Sequence, residues 1–202
     1  RDLSANDIRS AVWNGSSWSS WLTIDSNAPE NSSYDGGLAA TVDIDSGNIY
    51  LVYAADHNDA TPDHDIRTAI YDGSGWTNTS DVFTDSPNRG LHHVGIGLDK
   101  NNGDVYVSYT AETTLGTPAS ANLYWVRSQD AMTTWSAEQG PLNVLTDDFY
   151  SPQMNLSSFE RIYVTWWDDS NNAIVGDTIA NIGPDTLLTT IGTVQTEVRS
   201  PR

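Results

Sequence analysis

Apolar and aromatic residues come in short runs separated by turn residues, and the runs repeat. Ile49-Tyr50-Leu51-Val52-Tyr53 returns as Val105-Tyr106-Val107-Ser108-Tyr109 and as Ile162-Tyr163-Val164-Thr165-Trp166, at spacings of 56 and 57 residues. β-Branched and aromatic side chains in this density suit a pleated, packed surface. A second marker lies between these runs: Asp7-Ile8-Arg9-Ser10-Ala11-Val12-Trp13 matches Asp65-Ile66-Arg67-Thr68-Ala69-Ile70-Tyr71, and then Asn122-Leu123-Tyr124-Trp125-Val126-Arg127. Each is followed by a turn and a tryptophan, Trp18, Trp76 and Trp135, at spacings of 58 and 59. No segment carries a sustained helical apolar period.

One period reads as four short strands, near 38–43, 48–55, 65–72 and 80–84 in the first full copy. Four antiparallel strands per repeat of this length predict an all-β chain of β-propeller blades. The period predicts a partial blade over 7–25, blades over 37–86, 92–147 and 151–192, and the start of a further blade at 200–202, about three and a half in all. The alternative is a β-sandwich, which does not usually repeat so regularly. The chain starts at Arg1, so the expectation is a processed product or part of a longer polypeptide. An unclosed ring would leave sheet edges and blade faces open, and the rest of a longer chain or a second copy would complete it.

Composition sharpens this picture. Of the 202 residues 27 are acidic, 22 Asp against 5 Glu, and the imbalance favours turns over helices. The net charge of -18 excludes a nucleic-acid backbone as partner and disfavours an anionic membrane surface. It would suit an extracellular or cell-surface setting. There is no Cys, hence no disulfide or thiolate-metal framework, and no apolar run long enough to span a membrane.

Ser128-Gln129-Asp130-Ala131-Met132-Thr133-Thr134-Trp135 resembles the Asp-box, Ser-x-Asp-x-Gly-x-Thr-Trp, with Met132 in place of glycine. Asp72-Gly73-Ser74-Gly75-Trp76 and Asn14-Gly15-Ser16-Ser17-Trp18 look like eroded versions at the same place in their repeats. The chain thus resembles the sialidase-like BNR/Asp-box propellers. That resemblance implies a structural box: Asp130 satisfying turn backbone groups, Ser128 and Thr134 fixing the hairpin, and Trp135 packing between sheets. Sialidases of the family also carry an Arg-Ile-Pro motif, three arginines that grip a carboxylate, a Tyr–Glu pair and an Asp acid. Here Arg161-Ile162 runs into Tyr163, and none of those catalytic residues can be carried onto this chain.

Strand order then sorts the remaining polar residues. Loops between first and second strands, and between third and fourth, fall at one end of the blades. The other loops fall at the opposite end, which gathers His57, His64, Arg89, His92, His93, Glu112, Tyr150, Trp167 and Asp169 as candidate ligand-binding residues. Trp166 aligns with Tyr53 and Tyr109 and reads as core, whereas Trp167 is unexplained by the repeat. The loop Asp56-His57-Asn58-Asp59-Ala60-Thr61-Pro62-Asp63-His64-Asp65 reads first as a solvated acidic loop. Its second reading is a metal site on Asp56, Asp59, Asp63 and Asp65, with Ca²⁺ the cation that carboxylates suit and Zn²⁺ the one that the imidazoles of His57 and His64 would suit. Asp43-x-Asp45-x-Gly47 and Asp99-x-Asn101-x-Gly103 read as hairpin turns and not as calcium loops.

The expectation that follows is a binding module for glycan or protein ligands. The rivals are a segment of a sialidase-like glycoside hydrolase and a structural subunit completed by neighbouring chains.

Overall fold

The computed structural model describes residues 7–26, 37–56, 64–82, 90–112, 121–142, 149–156, 161–168 and 173–181. Those residues form twelve strands, with no helix among them. A two-stranded sheet holds β1 (Ile8–Ser10) and β2 (Leu22–Asp25). A four-stranded meander follows: β3 (Leu38–Val42), β4 (Ile49–Asp56), β5 (His64–Tyr71) and β6 (Trp76–Asn78). Two three-stranded sheets follow among the described residues. The first is β7 (Leu91–Asp99), β8 (Asp104–Glu112) and β9 (Ala121–Ser128); the second is β10 (Phe149–Leu156), β11 (Arg161–Asp168) and β12 (Ala173–Asn181). All pairings are antiparallel.

In the first full repeat the first three strands lie where the sequence pattern puts them, and the fourth does not. The strand expected near 80–84 is instead β6 at 76–78, paired Tyr71 to Trp76. Asx chemistry closes the turn so tightly that pairing begins at the tryptophan. The chain then stays on β5 through Thr79 N–H to the Thr68 carbonyl and Val82 N–H to the Ile66 carbonyl. In the next repeat the fourth strand shrinks to a bridge between Trp125 and Gln139, with a cis Gly140-Pro141 peptide beyond it.

Alternation along the strands explains how the sheets stack. Tyr50, Val52 and Ala54 of β4 pack toward the β7–β9 sheet, in one core with Val105, Val107, Tyr109 and Ala111 of β8. Leu51, Tyr53 and Ala55 point the other way and meet Ile8 and Ile24 of the first sheet. Tyr106 of β8, with Leu123 and Trp125 of β9, meets Met154, Ile162, Val164 and Trp166 of the last sheet. A middle sheet is therefore buried on both faces, and β8 is buried along all nine residues. This is why the sequence shows near-continuous apolar runs and not a simple in–out alternation. Trp166 is core, as its alignment with Tyr53 and Tyr109 implies; all three are buried.

The first strands of successive repeats crowd together, and glycine permits it. A Cβ on Gly37 of the segment entering β3 would stand 2.5 Å from Val94 N and 2.9 Å from His93 Cα in β7. A Cβ on Gly95 of β7 would stand 2.6 Å from the Pro152 carbonyl oxygen of β10. Sheets that fan out from closely approaching inner strands, with cores between neighbouring sheets, have the blade arrangement expected from the repeat.

Polar ties reinforce the sheet contacts. Tyr53 Oη donates to Asp25 Oδ2 at 2.9 Å, and Arg67 Nη1 donates to the same oxygen at 3.0 Å. Burial first, and then the Asp25 charge, push the Tyr53 hydroxyl far above its ordinary pKa. Burial likewise pushes Tyr106 up to about 12.

Candidate functional site

The two ends of the sheets differ in what their polar groups do. At the end holding the β3–β4, β5–β6, β7–β8 and β9-to-bridge connections, the carboxylates of Asp43, Asp72, Asp99 and Asp130 are consumed by turns. Asp43 Oδ1 accepts from Asp45 N–H at 3.0 Å and Oδ2 from the Ser46 hydroxyl at 2.5 Å, while Gly47 takes φ 79°. Asp99 Oδ1 accepts from Asn101 N–H at 2.9 Å, and Gly103 also takes φ 79°. These are hairpin turns of the kind the sequence implies, with carboxylate oxygens turned onto their own backbone.

The octapeptide at 128–135 is built in the same way, more elaborately. Asp130 Oδ1 accepts from the Ser128 hydroxyl at 2.8 Å and from Thr134 N–H at 2.8 Å; its Oδ2 accepts from the Thr134 hydroxyl at 2.6 Å. Ser128 Oγ accepts in turn from Met132 N–H at 2.9 Å. Trp135 donates its indole N–H to the Ser80 carbonyl of the preceding sheet at 3.0 Å. Ala131 and Met132 take φ values of 53° and 62°, in the left-handed region that favours glycine. Met132 occupies it because its side chain is fully buried in the core between the second and third sheets. Packing offsets the backbone cost, which accounts for the departure from glycine at this position.

The eroded copies keep the same logic. Asp72 Oδ1 accepts from Ser74 N–H, the Ser74 hydroxyl and Gly75 N–H. Asn14 Oδ1 accepts from Ser16 N–H, Ser17 N–H and the Ser16 hydroxyl. Hydrogen bonds to the ionised form hold the exposed carboxyls of Asp43, Asp72 and Asp130 below their ordinary value of 3.8; the leading contributors are the hydroxyls of Ser46, Ser74 and Thr134 respectively.

The opposite end is made of strand termini with a different character. Antiparallel pairing brings together the ends of β4, β8 and β11 and the starts of β5, β7, β9, β10 and β12. Asp56 stands opposite His64, and Glu112 opposite Ala121. His92 stands opposite Thr110, and in the next sheet Tyr150 stands opposite Trp167. Both inner strands break register here, between His92 and Val94 and between Tyr150 and Gln153. His93, the extra residue of the first irregularity, takes φ 43°, a conformation uncommon outside glycine. Bulges end regular pairing and re-aim side chains, and they gather beside functional sites.

The sequence-derived candidates divide accordingly. His64, His92, His93, Glu112, Tyr150 and Trp167 come to this one end. His57, Arg89, Asp169, Asp59 and Asp63 lie outside the described residues. Asp56 closes β4, and Asp65, half-buried, is the second residue of β5. Among the described residues no group of three potential metal ligands comes together. Glu112 is fully buried, its backbone N–H bonded to the Gly90 carbonyl at 2.9 Å, so it sits beneath this end and not upon it. What sequence reasoning missed was the pair of inner-strand irregularities. The doubled His92-His93 was their only trace, because register is a property of pairing and not of one strand.

Arg9 pairs with Asp7, Arg67 with Asp25 and Asp81, and Arg127 with Asp104. These three arginines therefore serve internal carboxylates.

No family model and no curated protein sequence matches the chain. Among solved structures it is similar to a fungal lectin from Aleuria aurantia with a six-bladed β-propeller fold, at 18% identity and a TM-score of 0.60; 96% of this chain covers 54% of the lectin. It is also similar to an α-L-arabinanase from Penicillium chrysogenum, at 12% identity and a TM-score of 0.59, with 96% of this chain covering 60% of that one. A Hadza microbial sialidase matches at 14% identity and a TM-score of 0.52, over 79% of this chain and 38% of its own length. The chain spans less than two thirds of each of these proteins. At such identities the likeness concerns the fold, which is that of β-propeller proteins.

Proposed function

We propose that this chain is a glycan-binding β-propeller module whose ligand meets the bulged end of the sheets. The observation that carries the reading is the repeated break in the inner strands, which falls at the end where antiparallel pairing gathers His92-His93 and the Tyr150–Trp167 pair. Aromatic rings and imidazoles provide what a sugar requires: a flat apolar face for its C–H surface and donors and acceptors for its hydroxyls. The fold likeness to a lectin that recognises fucose, and to an arabinanase complexed with arabinobiose, supports a sugar over other ligands. Binding is favoured over hydrolysis because Arg9, Arg67 and Arg127 are engaged with internal carboxylates and none of the three is left to grip a substrate carboxylate. The octapeptide at 128–135 fits an Asp-box in its structural role, and an extracellular or surface-displayed setting suits both a glycan ligand and the acidic composition.

The test is a glycan array on the purified chain, followed by calorimetry with the best ligand. Trp167→Ala and Tyr150→Ala are each expected to weaken binding at least tenfold. Trp21→Ala, at an exposed site outside the proposed end, should leave binding unchanged. Unchanged affinity in both Trp167→Ala and Tyr150→Ala would overturn the reading.

A further inference from the structure

Three tryptophans occupy one position of the repeat, and two of them latch sheets together. Trp76 donates its indole N–H to Ser10 Oγ of the sheet before it at 2.7 Å, and Trp135 donates to the Ser80 carbonyl of the sheet before it at 3.0 Å. Each is half-buried. Trp18 is the third copy, and it is 67% exposed. It even keeps the local geometry of its equivalent. The Trp13–Trp18 ring centroids lie 5.6 Å apart at 54°, against 5.4 Å and 44° for Tyr71–Trp76. The β1–β2 sheet thus presents an assembled latch that no described segment covers.

The complementary face is at the other end of the series. Tyr50 and Tyr106, equivalent by the repeat, are buried under the sheet that follows them, and so are Val52 and Ser108. Their counterparts in β11, Tyr163 and Thr165, are only half-buried. One molecule therefore carries an uncovered copy of the latch at one end of the series and half-buried counterparts of the covered residues at the other. Charge agrees with this. Residues 10–24 contain no charged side chain in a chain of net charge -18, so the Trp18 face adds no charge of its own to such a contact.

We propose that the Trp13–Trp18 face docks the β10–β12 sheet of a second copy of this chain, head to tail, as one more blade-to-blade contact. Such an interface is heterologous, and repeated rotation can close it into a ring.

Sedimentation velocity on the 202-residue chain over a concentration series tests this. The expected result is reversible self-association, weakened at least tenfold by Trp18→Ala or by Tyr163→Ala, with unchanged circular dichroism. Trp18→Gln provides a second, more conservative probe at the exposed position. An equimolar mixture of Trp18→Ala and Tyr163→Ala should recover a dimer, because one intact Trp18 face can still meet one intact Tyr163 face. A chain that stays monomeric at every concentration would overturn the proposal, whether its Trp18 is quenched freely or shielded by the chain's own residues. So would a mixture that recovers nothing, the mark of a self-complementary interface.

Discussion

The two ends of the sheets draw on similar residues and put them to opposite uses. At the hairpin end, Asp43, Asp72, Asp99 and Asp130 turn their oxygens onto the N–H and hydroxyl groups of their own turns. The same chemistry recurs in repeat after repeat, so it belongs to the fold. At the bulged end the corresponding strand termini diverge in sequence: Ala54-Ala55-Asp56, Thr110-Ala111-Glu112 and Trp167-Asp168-Asp169 keep only a terminal carboxylate in common. Residues that repeat hold the blades, and the proposed ligand contacts fall among residues that break the repeat. The contrast also runs within one strand, where Trp166 is core and Trp167, its neighbour, faces no requirement set by the repeat.

That neighbouring pair offers the sharpest way to break the comparison. Trp166→Ala should cost about 3–5 kcal/mol, as expected for a buried tryptophan. Denaturant titration would show it as a fall in midpoint. Trp167→Ala should leave the midpoint within about 1 kcal/mol, the scale of a cross-strand pair, while it removes ligand affinity. Equal losses of stability in the two variants would erase the distinction.

Met132 is next in size. Met132→Ala should cost about 2–5 kcal/mol for the cavity left in the core, read as a lower thermal midpoint of roughly 2–4 °C per kcal/mol. Met132→Gly relieves a left-handed backbone worth roughly 1–2 kcal/mol and should be the less damaging of the two, though still less stable than the parent. If Met132→Gly melted above the parent, packing would not be what holds the methionine there.

Gly95→Ala probes the crowding of the inner strands. Its Cβ would meet the Pro152 carbonyl oxygen at 2.6 Å and Ser108 Oγ at 2.8 Å. Overpacking of this kind typically costs about 1–3 kcal/mol, and a neutral result would mean that β7 and β10 do not approach so closely.

Much of this was legible in the chain. The repeat located three strands of each full blade because β-branched and aromatic runs at a constant spacing leave little freedom in where the strands fall. It misplaced the fourth, because Asp72 and Gly73 close a tighter turn than the apolar pattern shows, so that Trp76 and not Ser80 begins β6. Within the site, the shared end of His64, His92, His93, Tyr150 and Trp167 follows from strand alternation alone. The irregularities at His92–Val94 and Tyr150–Gln153 do not, since they arise from how two inner strands settle against partners far along the chain. The burial of Glu112 escaped notice for a related reason: a strand-terminal glutamate looks solvated until the neighbouring sheet is in place.

The smallest expected effect is on the pH dependence of stability. The carboxyls of Asp43, Asp72 and Asp130 lie below their ordinary value of 3.8 in the folded chain. Their stabilisation is therefore complete above the unfolded value and is lost as the pH falls through the lower folded values. Melting temperature should be flat from neutral pH to about pH 5 on account of these groups and should decline below about pH 4. Asp130→Asn should make that acid decline shallower, and an unchanged acid limb would show that the octapeptide carboxylate contributes nothing to folding.

The division between a structural end and a binding end is tested most directly by amide chemical-shift mapping of the labelled chain during titration with its best array glycan. The account predicts shifts at His92, His93, Tyr150 and Trp167, with the amides of 43–47, 72–76 and 128–135 unmoved. Shifts concentrated in the 128–135 turn, with the bulged strands unaffected, would contradict it.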